Sequence, residues 1–174
     1  MTEQGPAAPS SVATRIFEAL KAHDLDAVMD LEHPDVVDDF VVLGRVEGRQ
    51  AVRDFFSELF GAFPDFRIEM LDLVGDGTRA AVQWHAHGTF TGASFQGIHA
   101  TGRSVELRGC DVMTFDEGRL RSNTIYYDGL GFARQIGMLP REGSPGDKAI
   151  TAAFNAGTDV KARLRQRRRT QEAG

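Results

Sequence analysis

The residues in this chain best suited to chemistry are acids and imidazoles set into segments of alternating polarity. The stretch Arg119 to Pro140 reads RLRSNTIYYDGLGFARQIGMLP. An extended backbone points alternate side chains to opposite sides, so Thr124, Tyr126 and Asp128 share one face. Arg121, Asn123, Ile125 and Tyr127 share the other. Gly129 and Gly131 then loosen the chain, and Phe132 to Met138 has helical spacing. The expectation is that Asp128 lies in a pocket at the end of a last strand and transfers protons. Asp is also a favoured N-cap residue, so Asp128 could instead cap the following helix. On position alone the two readings balance.

Two earlier segments alternate in the same way. Ala80 to Phe90 sets Gln83, His85 and His87 against Val82, Trp84 and Ala86. Val105 to Phe115 puts Leu107, Gly109, Asp111, Met113 and Phe115 on one side. An apolar wall with a few convergent polar groups is what a small-molecule site needs. A carboxyl in such a place is desolvated and its pKa rises toward neutrality, where general acid/base catalysis works best. Asp128 is the first choice for that role, with Asp111 as partner or second acid. His85 or His87 could orient substrate, share a proton or stabilise a developing enolate. Gln83, His87, Trp84, Thr124 and Tyr126 are the expected substrate contacts.

Plainer readings stand beside these. His85 and His87 could both face solvent. Asp111 could pair with Arg121 across the sheet. Trp84 and Tyr126 could be core or dimer contacts. Cys110 reads as a small buried apolar group, since no base can be placed beside it. No ligand spacing fixes a metal site, and neither metal nor cofactor is expected.

The elements that must position these groups follow from periodicity. Val12, Ile16, Ala19 and Leu20 form one helical stripe; Leu25, Val28, Met29 and Leu31 form a second, stopped by Pro34. Val36 to Leu43 reads as a short strand-like crossing, and Gly44 to Gly48 as a turn. Val52, Phe55, Phe56, Leu59 and Phe60 give a third helix. The period then changes to two. Gly75-Asp76-Gly77 and Asp116-Glu117-Gly118 mark tight turns between strands. Helices followed by strands indicate an α+β fold, a cone-shaped barrel in which a curved antiparallel sheet wraps around the N-terminal helices.

The chain has 174 residues, 41% hydrophobic and 26% charged, the mix of one ordinary globular domain. We expect a disordered segment at 1–10, the cone domain at 11–140, and a linker with a basic C-terminal helix or tail at 141–174. A formal net charge of -5 gives no general pull on nucleic acid. The basic run near the C-terminus reads as a solvated tail. One cysteine excludes an internal disulfide framework. No apolar run approaches the ~20 residues that cross a bilayer, and the first residues lack signal-peptide character. A cytoplasmic protein without membrane contact is the default.

Phe63-Pro64-Asp65-Phe66, Gly75-Asp76-Gly77, Thr101-Gly102-Arg103, Asp116-Glu117-Gly118-Arg119 and Arg134-Gln135-Ile136-Gly137-Met138-Leu139-Pro140 occur in one order. In that order they resemble SnoaL-like polyketide cyclases and related ester cyclases, of the nuclear-transport-factor-like, ketosteroid-isomerase-like cone fold. The similarity runs from about Ile16 to Pro140. It implies an acid/base aspartate just before the closing helix, where Asp128 falls, and dimerisation through the sheet. Where many relatives carry a histidine in the strand-like crossing, this chain has Asp38, Asp39 and Phe40. The expected activity is cofactor-independent acid/base chemistry, of cyclase or isomerase type, on a small hydrophobic carbonyl compound. A non-catalytic binding module, or a hydrolase or dehydratase of the same fold, are the alternatives.

Overall fold

The structure, a computed structural model, describes residues 8–172. Residues 1–7 of the expected disordered segment therefore lie outside the described residues. Helix α1 (Pro9–Ala22) opens with a proline in its first turn, where the missing N–H costs nothing. It buries Val12, Ala13, Ile16, Phe17 and Leu20. Asp24 caps α2 (Leu25–Leu31) by accepting the Ala27 N–H at 3.0 Å.

Strand β1 (Glu32–Phe40) follows α2 directly, four residues earlier than the valine run suggests. Pro34 thus lies inside a strand rather than after a helix. It sits where the ladder to β6 is broken, between Glu32 and Val37, so its lack of an N–H forfeits no bond. The expected turn at Gly44–Gly48 is mostly strand β2 (Gly44–Glu47), which pairs antiparallel with β1. Helix α3 (Arg49–Ala62) carries Val52 and Phe55 into the core.

The long strands are β3 (Arg67–Gly75), β4 (Arg79–Thr89), β5 (Ser104–Asp116) and β6 (Arg119–Tyr127). Both expected turns are present. Asp76 accepts the N–H groups of Thr78 and Arg79 at 3.0 and 2.9 Å, and Glu117 and Gly118 have φ values of 49° and 74°. The sheet order is β2-β1-β6-β5-β4-β3. All neighbours run antiparallel except β1 and β6, which are parallel, so the curved sheet is mixed rather than wholly antiparallel. β1 reaches its place from the helices instead of from a hairpin, and that route sets its direction.

Helices α1 and α3 cover one face of the sheet, which makes the α+β cone. The last strand leads into α4 (Gly129–Gln135) and then α5 (Pro145–Glu172). α5 shows Ile150, Phe154 and Val160 to solvent. Side chains of Arg163, Leu164 and residues 166–172 lie outside those described. No described helix is long and apolar enough to cross a membrane.

Candidate functional site

A cavity of about 120 Å³ lies between the helices and the inner face of the sheet. Its walls are apolar. Ile16 and Leu20 come from α1, Phe55, Phe56 and Leu59 from α3, and Ile68, Ala86, Met113 and Ile125 from the strands. At one end Val28 and Leu120 are almost fully buried; at the other, Leu43, Tyr127 and Phe132 are partly open. The cavity therefore has a closed end and a mouth.

Polar groups in this lining are few, and half of them are acids: Glu32, Asp38 and Asp111, besides Asn123, Tyr127 and the Trp84 N–H. Four adjacent strands bring the central ones into a row. Asp38 on β1 is in register with Asn123 on β6, and Asn123 is diagonal to Asp111 on β5. Asn123 Nδ2 donates to Asp111 Oδ2 at 3.0 Å, and Trp84 Nε1 on β4 donates to Asp111 Oδ1 at 2.7 Å. Both Asp111 oxygens are thus held by N–H donors. Gly109 makes this possible, because a Cβ there would lie 2.2 Å from the Trp84 ring.

Glu32, Asp38 and Asp111 are only 1%, 2% and 7% exposed. Burial raises the Asp111 pKa to about 6, opposed by the hydrogen bonds from Asn123 and Trp84. Asp38 is pushed well above the carboxylate range, by burial first and then by Glu32 and Asp111. Glu32 rises to about 7 through burial, opposed by the nearby Arg49 charge. Asp38 Oδ1, Glu32 Oε2 and Asn123 Oδ1 are buried with no partner among the described residues. At neutral pH Asp111 is the acid best placed to be ionised, and Asp38 the one held neutral. Burial also raises the Tyr127 phenol, which therefore remains a donor.

Several expected site residues lie elsewhere. The Asp128 carboxyl is exposed and accepts the Gly131 N–H at 2.8 Å, so it caps α4 outside the cavity. The N-cap reading, not the pocket reading, describes its position. The β6 face that enters the cavity is the opposite one, with Asn123, Ile125 and Tyr127. Tyr126 is 49% exposed, and Thr124 shares its outward side. On β4 the inward residues are Val82, Trp84 and Ala86; Gln83 and His87 are exposed, and His85 Nε2 faces Glu106 Oε1 at 3.3 Å on the outer surface. Gln83, Tyr126 and Asp128 do converge, but along an open groove on the outer face.

Of the expected set, the structure brings Asp111 and Trp84 together in the cavity. Arg121 bonds the Asp35 carbonyl rather than Asp111. Cys110 is a half-buried thiol on the outer side, raised by burial and by Asp111. No group of three metal-binding side chains occurs among the described residues. Glu32 and Asp38 were not singled out from the sequence. Asp38 carried a signal: Val36, Asp38 and Phe40 alternate, which puts an acid on an apolar face. Glu32 carried none, because it falls where helix becomes strand.

The profile of the SnoaL-like polyketide cyclases matches residues 10–136. The chain belongs to that family. Among solved structures, a candidate SnoaL-like polyketide cyclase from Jannaschia sp. CCS1 superposes with a TM-score of 0.68 at 19% identity, covering 80% of this chain and all of that one (100%). AclR, a candidate hydroxylase from Streptomyces galilaeus, gives 0.66 at 18% identity over 90% of this chain and 93% of its own. IdmH, a candidate polyketide cyclase from Streptomyces antibioticus, gives 0.63 at 23% identity over 75% and 99%. At these identities the structural likeness establishes the SnoaL-like fold, which carries more than one chemistry. No curated protein matches the chain.

Proposed function

We propose that this SnoaL-like protein is a cofactor-independent acid/base enzyme, of isomerase or cyclase type, acting on a small hydrophobic carbonyl compound inside the cone. The observation that carries this reading is the pairing of two buried carboxyls in an apolar cavity: Asp111, with both oxygens held by N–H donors, and Asp38, with a free oxygen. Donors favour the ionised form, so Asp111 is the base. Asp38, deprived of donors and flanked by acids, stays neutral and can donate its proton as a hydrogen bond.

In this reading the Asp111 carboxylate takes a proton from the carbon next to the substrate carbonyl. The C–H electron pair moves into the new carbon–carbon double bond, and the carbonyl π pair moves onto oxygen. The Asp38 O–H, with the Tyr127 phenol nearer the mouth, stabilises that oxygen. Return of the proton to a different carbon gives isomerisation. Attack of the enolate carbon on a second carbonyl of the same molecule gives ring closure. Trp84 and Asn123 position Asp111 and keep it charged.

The test is proton exchange. Cyclohexanone in D2O should exchange its α-protons faster with the protein than without it, followed by NMR. Asp111→Asn should reduce that acceleration by about 10²–10⁴-fold, the usual worth of a positioned acid/base group. Binding of the ketone with no accelerated exchange would make the cavity a binding site without turnover.

A further inference from the structure

Among the described residues, Glu32 is the one buried acid that the proposed proton transfer does not use. It is 1% exposed, it lines the closed end of the cavity, and its Oε2 has no partner among the described residues. An acceptor so placed is costly unless something supplies a donor. Leu120, the register partner of Glu32, lies three residues before Asn123 on β6, so this acceptor sits deeper than the Asp38–Asn123–Asp111 row. A strand advances about 3.3 Å per residue, which sets the backbone of Glu32 about 10 Å below that of the row.

A dry cavity of ~150 Å³ accepts one benzene ring, so about 120 Å³ limits the enclosed part of a ligand to one ring at most, with any tail toward the mouth. The choice of donor follows from charge. The Arg49 guanidinium binds the Glu32 backbone carbonyl and already lowers the pKa of its carboxyl. A ligand ammonium would be set beside a fixed cation, whereas a hydroxyl would not. Among the described lining side chains none is Lys, Arg or His, so none would balance a ligand carboxylate or phosphate.

We propose that Glu32 accepts a hydrogen bond from a hydroxyl group at the end of the substrate remote from its carbonyl, which makes the substrate a one-ring hydroxy-ketone of phenolic type. This rests on the reading of the cavity as the site of carbonyl chemistry.

Calorimetric titration with acetophenone, 4-hydroxyacetophenone and 4-methoxyacetophenone tests it. At pH 8.5, above the Glu32 pKa of about 7, the hydroxy ketone should bind about 10-fold tighter than acetophenone or more, the scale of a buried hydrogen bond to a charged acceptor. The methoxy ketone accepts but cannot donate, and should gain nothing. In Glu32→Met, which keeps length and removes the acceptor, the preference for the hydroxy ketone should fall below about 2-fold. Equal binding of hydroxy and parent ketones, or a preference that survives Glu32→Met, overturns the assignment to Glu32 and leaves the Asp111 chemistry standing. Should Glu32→Met fail to fold, the hydroxy–methoxy comparison in the native chain decides alone. Failure of all three ketones to bind would overturn the carbonyl-site reading together with this inference.

Discussion

Asp128 follows the end of β6 and Asp111 lies midway along β5, and the two have opposite environments. Asp128 spends its carboxyl on the Gly131 N–H at the start of α4, in solvent. Loss of such a cap costs about 1 kcal/mol. Asp128→Ala should therefore lower stability by about that amount in chemical denaturation and leave ketone exchange within about 2-fold of the native rate. Asp111 answers to burial and two donors instead, and its proton comes off near pH 6. Exchange should rise as pH passes upward through about 6, where the base forms, and fall again at higher pH as Asp38 loses the proton it donates.

At the level of elements, the row of polar groups depends on strand register and on one missing side chain. Gly109 leaves the space that the Trp84 indole fills on its way to Asp111. Gly109→Ala should displace the ring, cost about 1–3 kcal/mol by overpacking, and shift the emission of Trp84, the single tryptophan. Exchange activity should fall with it, because one donor to Asp111 is lost. The alternation of β4, β5 and β6 was readable from residue types, as were both hairpin turns and the three covering helices. The choice of face was not readable for β6. Thr124-Tyr126-Asp128 and Asn123-Ile125-Tyr127 are similarly mixed in polarity, so composition could not say which side meets the helices. The parallel place of β1 was also hidden, since pairing between distant segments leaves no local mark. The alternation of Val36, Asp38 and Phe40 places an acid on an apolar face, but its partners are on strands about which those neighbours say nothing.

For the whole molecule, three buried acids tie stability to pH. Each has a folded pKa above its unfolded one, so the folded state holds protons that the unfolded state has released. Stability is then full below the unfolded values and falls as pH rises through the folded ones. For Glu32 the rise from 4.5 to about 7 corresponds to about 3 kcal/mol. The unfolding free energy should fall between pH 4.5 and pH 7, and Glu32→Gln should flatten that fall; an unchanged slope would show that Glu32 meets its charge elsewhere. The outer face of the sheet exposes Val74 and Tyr126. Pairing of two copies through that face is expected from the family resemblance. Light scattering should then give a dimer mass, and Val74→Glu should shift it toward the monomer.

The parallel pairing of β1 with β6 has a consequence for how the chain assembles. Asp38 meets Asn123 only across most of the length of the domain, and contacts so distant in sequence form late and slowly. Until that closure the three carboxyls are hydrated and ionised, like any acid on an open chain. The final docking event must therefore strip water from them and draw protons out of the medium, so the speed of maturation is itself coupled to acidity.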